Sequence, residues 1–292
     1  MRTNVSDLLV TAIAPAVWGS TYIVTTEFLP NFSPMTVAML RALPAGLLLL
    51  LFARQLPRGI WWARIFLLGA LNISFFLSML FISAYRLPGG VAATVASTQP
   101  LMVVFLAYAI LASPIRMVSV LAALVGAAGV ALLVLTPSAA LDATGIIAGL
   151  AGAAAMACGT VLSRKWQPPV SLLAFTAWQL TAGGLLLVPV VLVFEPAIPV
   201  PTMSNLLGLT WLGLVGAALT YVLWFRGITR LAPSVVSTLL LLSPVTAVLL
   251  GWLLLGQMLT ALQIAGVLFV IGSIWLGQRT NPHLDRQKGK CA

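Results

Sequence analysis

The sequence predicts an all-α integral membrane protein with ten transmembrane helices, arranged as two inverted five-helix repeats. Three observations predict this fold class. Of the 292 residues, 61% are hydrophobic and 7% are charged, whereas a soluble domain carries about 25% charged residues. Apolar segments of about 20 residues, long enough to cross a bilayer as helices, follow one another along the chain. A motif of the first half also recurs in the second half.

The apolar segments are bounded by proline, glycine or charged residues. Each is predicted to be helical, because backbone groups in lipid must pair within their own segment. The first segment follows a single arginine, as the apolar part of a signal peptide would, but nine further segments favour a retained first span. The ten segments cover residues 8–27, 34–53, 65–85, 89–111, 116–135, 143–163, 171–194, 205–225, 233–255 and 260–278.

Basic residues gather at alternate ends of these segments. With the amino terminus in the cytoplasm, thirteen of the fifteen Lys and Arg residues fall on the cytoplasmic side. Arg86 falls outside, and Arg41 lies within the second span. Because short cytoplasmic loops of membrane proteins are enriched in Lys and Arg, this distribution predicts ten spans with both termini cytoplasmic, in a bacterial inner membrane.

The repeat is clearest in one motif. Residues 86–100 read RLPGGVAATVASTQP, and residues 230–244 read RLAPSVVSTLLLLSP. The two share Arg, Leu, Val, Thr and Pro at a spacing of 144 residues. A unit of five spans is odd-numbered, so its second copy enters the membrane from the other side. The predicted domains are a first repeat over residues 1–137, an inverted second repeat over 138–279 and a polar cytoplasmic tail over 280–292. Weaker echoes pair Gly19 with Gly159 and Gly46 with Gly184.

The residue inventory excludes several function classes. Cys158 lies within an apolar segment, and Cys291 and His283 lie in the tail, so no disulfide framework, metal site or other cofactor is expected. Basic residues at segment ends indicate topology and no nucleic-acid partner. Mid-membrane Asp and Glu are absent from the sequence, which argues against proton or sodium coupling and against hydrolysis. The chain is therefore predicted not to be an enzyme.

Local motifs resemble one family of membrane carriers. They are Trp18-Gly19-Ser20-Thr21-Tyr22, Arg41-Ala42, the Arg-Leu turns before spans four and nine, and the Gln99-Pro100 and Ser243-Pro244 steps. With these features the chain resembles the ten-helix EamA branch of the drug/metabolite transporter superfamily, and among its members the aromatic amino-acid and drug exporters. The resemblance implies a central cavity lined by spans one, three, four, six, eight and nine, with spans five and ten outside.

Neutral polar side chains within the spans are candidates for binding a solute. Polar residues inside a membrane tend to face the bundle interior or a cavity. The alternative is that these side chains bond neighbouring helices together, as Ser and Thr often do in membranes. The candidates are Asn72, Thr94, Ser97, Thr98, Thr160, Ser237 and Thr238.

Aromatic side chains form a second group of binding candidates. Trp18 lies about eleven residues into the first span, which is too deep for the interface anchoring typical of Trp and Tyr. Rings at this depth would form a pocket wall suited to aromatic or amphipathic solutes. The alternative is ordinary packing between helices. The candidates are Trp18, Tyr22, Phe76, Tyr221 and Trp224.

Four residues are candidates for gating or helix bending. Pro100, after Gln99, and Pro244 lie near mid-span at matching places of the two halves, where proline removes a backbone bond and bends a helix. Arg41, about 11 Å from the outer end at 1.5 Å per residue, needs carbonyls, Glu27 or water as partners. It would hold a solute carboxylate, act as an outer gate, or reach back to the interface. The matching residue of the second half is Gln179.

These expectations describe a facilitative secondary transporter that exports amino acids, related metabolites or amphipathic drugs by alternating access. Its partners are a small solute and the lipid bilayer, and its oligomeric state is left open. One alternative is a carrier of phosphorylated sugars or nucleotide sugars, which would need several cavity Lys or Arg to pair with phosphate. Another is a membrane protein that transports nothing.

Overall fold

The computed structural model describes residues 5–87, 93, 95–134, 142–256 and 260–278. Within these ranges the regular structure is helical, and no β-strand occurs. Seven helical segments are long and apolar enough to cross a membrane, and three more apolar helices are 10–17 residues long. The predicted all-α membrane class is therefore confirmed.

The first half contains six α-helices in the described residues. The third and fourth form one continuous rod, because a π-helical segment, π1, joins them without a break. The bounds are α1 (Val5–Phe28), α2 (Pro34–Ala53), α3 (Trp61–Gly69), π1 (Ala70–Ser74), α4 (Phe75–Arg86), α5 (Gln99–Leu111) and α6 (Met117–Val134).

The second half contains seven α-helices in the described residues, and it too has a π-helical segment, π2, that joins two of them without a break. The bounds are α7 (Ala143–Lys165), α8 (Leu172–Phe194), α9 (Met203–Thr210), π2 (Trp211–Leu219), α10 (Thr220–Arg230), α11 (Pro233–Leu239), α12 (Leu242–Leu255) and α13 (Ala261–Gln278). The described helices therefore overlap the predicted segments, and their ends differ from the predicted ends by a few residues.

Local capping explains where several helices begin. The Asp142 carboxylate accepts the N–H of Gly145 at 2.7 Å at the start of α7. The Ser171 hydroxyl accepts the N–H of Ala174 at the start of α8. Side-chain oxygens at such positions pair with N–H groups that the first helical turn leaves without partners.

Two glycines set how closely α2 and α8 approach. A Cβ atom at Gly46 would meet the backbone of Thr181, and one at Gly184 would meet the backbone of Leu43. Small residues allow membrane helices to approach backbone to backbone. The two helices therefore cross antiparallel in close contact at the centre of the bundle.

One end of the bundle, here named the amino-terminal face, carries a group of charged contacts. Asp7 forms ion pairs with Arg226 at 2.5 Å and with Arg230 at 3.2 Å. Arg164, near the end of α7, donates to two backbone carbonyls near the end of α10. These contacts join the start of α1 to the ends of α7 and α10.

The other end, here named the opposite face, is joined by a tertiary helix cap. The carboxylate of Glu195, which follows α8, accepts the N–H groups of Met35 at 2.8 Å and Thr36 at 2.7 Å. Nearby, the Asn205 amide donates to the carbonyl of Phe28 at 2.6 Å. An acidic group at a helix amino terminus is also favoured by the helix dipole, so Glu195 holds α2 in place.

Candidate functional site

A cavity of about 240 Å³ lies between the helices of the two halves. Its wall comes from α1, α2, α4, α7, α10, residues 93–100 and residues 240–244. Among the described residues, α6 and α13 contribute none of the wall. This is the arrangement that the family resemblance implied, with Arg41 of α2 added.

Aromatic rings form a large part of the cavity wall. Trp18, Phe76, Phe81 and Tyr221 all line it. The rings of Trp18 and Tyr221 lie 5.1 Å apart at 48°, a tilted arrangement that aromatic pairs favour. Trp224, also a predicted binding residue, is 1% exposed and packs behind Trp18 with its ring 5.3 Å away.

Hydrogen bonds orient the indole of Trp18. Its Nε1–H donates to the carbonyl of Gly216 at 3.1 Å and to the Thr220 hydroxyl at 2.9 Å. A buried indole N–H needs such a partner. These bonds tie α1 to the third rod of the second half and hold the ring against the cavity.

The Gly216 carbonyl also accepts a hydrogen bond from Arg41, the charged side chain of the cavity wall. Arg41 NH2 donates to Gly216 O at 2.6 Å, and NH1 donates to the Thr21 hydroxyl at 3.3 Å. Both partners are neutral. Of the three predicted partners, the structure supplies the backbone carbonyl. Arg41 therefore lies on the cavity wall with its charge uncompensated by the described residues.

The π2 segment explains why this carbonyl is available. The N–H of Thr220 reaches back five residues to the carbonyl of Val215, whereas in an α-helix it would bond to Gly216, four residues back. The Gly216 carbonyl instead accepts side-chain donors from Trp18, Arg41 and Thr220. The sequence carries no evident signal for π2, so this acceptor was not predicted.

A second group of buried polar residues lies apart from the cavity wall. The Asn72 amide donates to Gln179 Oε1 at 2.8 Å and to the Ser163 hydroxyl at 3.2 Å. Thr160, one residue after the tightly packed Gly159, is fully buried. Two predicted binding residues, Asn72 and Thr160, are thus placed within helix packing.

Three predicted hydroxyl groups bond within their own chain segments. Thr98 donates to the carbonyl of Val95, Ser237 to that of Ser234 and Thr238 to that of Val235. Such bonds satisfy a hydroxyl locally and remove the need for another partner. The structure does not place Thr98, Ser237 or Thr238 on the cavity wall, while Ser97 does line it.

Two predicted binding residues cannot be located in this way. Thr94 lies outside the described residues. Tyr22 belongs to α1, but its side chain is outside the part of the chain that the structure describes. Their binding roles stay predictions.

The two prolines lie beside interruptions of the helices. A turn at residues 97–98 precedes Gln99 and Pro100 at the start of α5, and a turn at residues 240–241 precedes Pro244 near the start of α12. Gln99, Pro100 and Pro244 all line the cavity. Helical structure is therefore interrupted next to the cavity before both prolines, and their role in bending or gating stays a prediction.

Sequence reasoning missed several wall residues. Thr25 follows Trp18 by two helical turns, and Leu77 and Phe81 share a face of α4. In each case the helical spacing was a signal that could have found them. Phe81 also lines a second pocket, of about 310 Å³, on the opposite face beside Arg86 and Glu195.

Comparison with known proteins agrees with this architecture. The model of the EamA-like transporter family matches residues 6–135 and 143–277. Protein PecM of Dickeya dadantii is 43% identical over 279 residues, covering 95% of this chain and 94% of that protein. An uncharacterized inner membrane transporter of Escherichia coli K12, YedA, is 26% identical, covering 91% of this chain and 89% of that protein.

A solved structure supports the fold. It covers 93% of this chain and 97% of its own, with a TM-score of 0.80 and 21% sequence identity. At that identity the likeness concerns the fold alone. Together with the two matched halves, these findings show that this multi-pass membrane protein belongs to the EamA-like transporter family of the drug/metabolite transporter superfamily, whose members are transporters and not enzymes.

Proposed function

We propose that the protein is a facilitative exporter of amino acids, related metabolites or amphipathic drugs, working by alternating access in a bacterial inner membrane. The observation that carries this proposal is a cavity with aromatic and polar walls, enclosed by helices that are otherwise apolar. Ligand sites are typically apolar hollows with a few placed polar groups. Trp18, Arg41, Ser97, Gln99 and Tyr221 supply that combination here.

The proposal includes ten spans in two inverted repeats. Gly46 meets Thr181, and Gly184 meets Leu43. The spacing of 138 residues that relates Gly46 to Gly184 also relates Leu43 to Thr181, so the two contacts exchange when the halves are exchanged. Packing of α1 on α12 is likewise matched by packing of α7 on α5. Two such halves of opposite orientation can exchange conformations of similar energy.

The amino-terminal face is proposed to be cytoplasmic. Arg164, Arg226 and Arg230 lie there, whereas Arg86 lines the pocket on the opposite face. A face richer in Arg fits the cytoplasmic side of a membrane protein. Both termini are then cytoplasmic.

The described conformation fits an outward-facing state in this mechanism. At the amino-terminal face, Asp7 binds Arg226 and Arg230, and Phe225 and Leu239 are almost completely buried nearby in the core. On the other side, Phe81 lines both the central cavity and the pocket of the opposite face. Phe81 thus belongs to both the cavity and the pocket.

The test is counterflow in liposomes that contain the purified full-length chain. Liposomes preloaded with unlabelled threonine or methionine should accumulate the external radiolabelled amino acid, and an imposed pH gradient should leave the rate unchanged. Protein-free liposomes provide the control. Accumulation that needs the pH gradient would refute facilitation, and the absence of any flux would refute transport of these solutes.

The alternative of a phosphorylated solute is tested in the same liposomes. Among the described wall residues Arg41 is the cationic side chain, whereas phosphate recognition typically uses several Arg or Lys groups. We therefore expect no counterflow of hexose phosphates or nucleotide sugars. Flux of these compounds without flux of amino acids would replace the proposed substrate class.

A further inference from the structure

We propose that the cavity selects solutes with one negative charge, a carboxylate held by Arg41 and an apolar or aromatic body held against Trp18 and Phe76. The inference rests on the proposed transport function and names the charge of its substrate. Within the proposed substrate class it favours amino-acid-related acids over neutral analogues and over cationic amphipathic drugs.

The first step concerns the charge of Arg41. Its guanidinium has five N–H donors, and the described hydrogen bonds use NH1 and NH2 on a hydroxyl and a carbonyl. The side chain is only partly buried, so the cavity reaches it. A desolvated cation whose partners are neutral attracts an anion much more strongly than it would in water.

The second step concerns the donors that converge on Gly216. Its carbonyl has two lone pairs and accepts from Arg41, Trp18 and Thr220. Trp18 Nε1 also has the Thr220 hydroxyl as a partner. Arg41 can therefore turn part of its donor set towards a ligand while this carbonyl remains satisfied.

A second donor lies in the same wall. Gln99 lines the cavity, is 4% exposed, and its amide nitrogen has no hydrogen-bond partner in the described structure. Leaving a buried amide donor unpaired is unfavourable. A carboxylate has two oxygens and accepts from both kinds of donor, so Arg41 and Gln99 are both donors of the kind that an acidic group on the solute needs.

The third step concerns positive charge on the solute. The sequence contains no Asp or Glu between Glu27 and Asp142, or between Asp142 and Glu195, and the described cavity wall contains none. The rings of Trp18 and Tyr221 could attract an ammonium group by cation–π contact. Arg41 shares that small cavity, and at low dielectric its repulsion of a second cation exceeds such a contact.

Three probes of nearly equal shape test the inference: indole-3-acetate, indole-3-acetamide and tryptamine. Binding to the full-length protein in detergent micelles is measured by isothermal titration calorimetry at pH 7. The anion should bind at least about tenfold more tightly than the neutral amide, as expected for a charge-assisted hydrogen bond. Tryptamine should bind more weakly than the amide.

Two variants test whether Arg41 causes the preference for the anion over the neutral amide. Arg41→Gln introduces the residue that the second half carries at Gln179, and it should make indole-3-acetate and indole-3-acetamide bind equally. Arg58→Gln removes an exposed arginine outside the cavity and should keep the preference. Thermal unfolding of both variants shows whether each is folded.

The outcomes separate this inference from the transport proposal. Equal binding of the anion and the amide by the unmodified protein, tighter binding of tryptamine, or no binding of any probe would overturn the inference. An unchanged preference in a folded Arg41→Gln variant would overturn it too. Anion-selective binding without counterflow of indole-3-acetate or of an amino acid would support the site and refute transport. Counterflow together with equal binding of the anion and the amide would support transport and refute the site.

Discussion

Two polar clusters, each formed between the two halves of the chain, use matching positions for different purposes. Arg41 and Gln179 are aligned by the sequence repeat, and their partners Gly216 and Asn72 are separated by the same 144 residues that separate Arg86 from Arg230. Arg41 bonds to the Gly216 carbonyl, and Gln179 accepts from the Asn72 amide. The contact between α2 and π2 thus carries a cation, whereas the matching contact between α8 and π1 carries neutral amides.

Burial separates the roles of these clusters. Asn72 is 2% exposed and Gln179 is 0% exposed, and neither lines the cavity. Arg41 is partly exposed and does line it. A neutral amide pair can be enclosed fully by helix packing, whereas a guanidinium needs a polar space around it. The comparison supports the proposal that the first cluster serves a ligand, whereas helix packing encloses the second.

The largest effect is expected where both clusters depend on one helix crossing. Gly46→Val places a branched side chain against the backbone of Thr181 and should lower the free energy of unfolding by about 3 kcal/mol. Denaturant unfolding of the purified protein measures this change. Gly272→Val is the matched control, because a Cβ atom there meets nothing within 4 Å. Equal stability of the two variants would contradict the close crossing.

Asn72→Leu is expected to have the next largest effect. It leaves the Gln179 side chain without the donor that now bonds to it and should lower the free energy of unfolding by about 2 kcal/mol. Because removing both partners is less costly than removing one, adding Gln179→Leu should restore part of the stability. A double variant as unstable as the sum of the two single variants would show that the amides do not act as a pair.

Trp18→Ala should act on transport while leaving folding intact. Its indole joins the cavity wall to the Gly216 carbonyl, so its loss should raise the KM for counterflow by about tenfold. Trp275→Ala removes an exposed tryptophan of α13 and serves as the control. If both variants are produced normally and Trp18→Ala keeps its KM, Trp18 has no part in the binding site.

The smallest effect is expected at the amino-terminal face. Asp7→Asn removes one partner of Arg226 and Arg230, and partly exposed ion pairs contribute less than about 1 kcal/mol. Without these ion pairs the amino-terminal face should open more often, and the backbone around residues 226–230 should exchange its hydrogens faster. Glu27→Gln, at the other end of α1, should leave exchange there unchanged. Equal hydrogen exchange in Asp7→Asn and the unmodified protein would show that these ion pairs do not help to close the amino-terminal face.

The helices and their order were predictable because each depends on local chemistry. The end of α2 near Arg54 and the start of α8 after Ser171 follow from charge, proline and capping residues next to an apolar run. Trp18, Phe76 and Tyr221 were predictable as wall residues because large rings at mid-span lie too deep to anchor the helix at the membrane interface. Hydroxyl groups were less predictable, since Thr98 and Thr238 bond within their own segments while Ser97 lines the cavity.

Hydropathy and the repeated motif, read along the chain, were sufficient for the helical class, the positions of the apolar segments and the helix interruptions before Pro100 and Pro244. These features follow from transfer to lipid and from the missing N–H of proline, which act on each segment separately. The partner of Arg41, the π-helical shift that frees the Gly216 carbonyl, and the division between cavity and packing were decided only in three dimensions. Each depends on which distant helix supplies the neighbouring atoms. Residue spacing within one segment does not identify that helix.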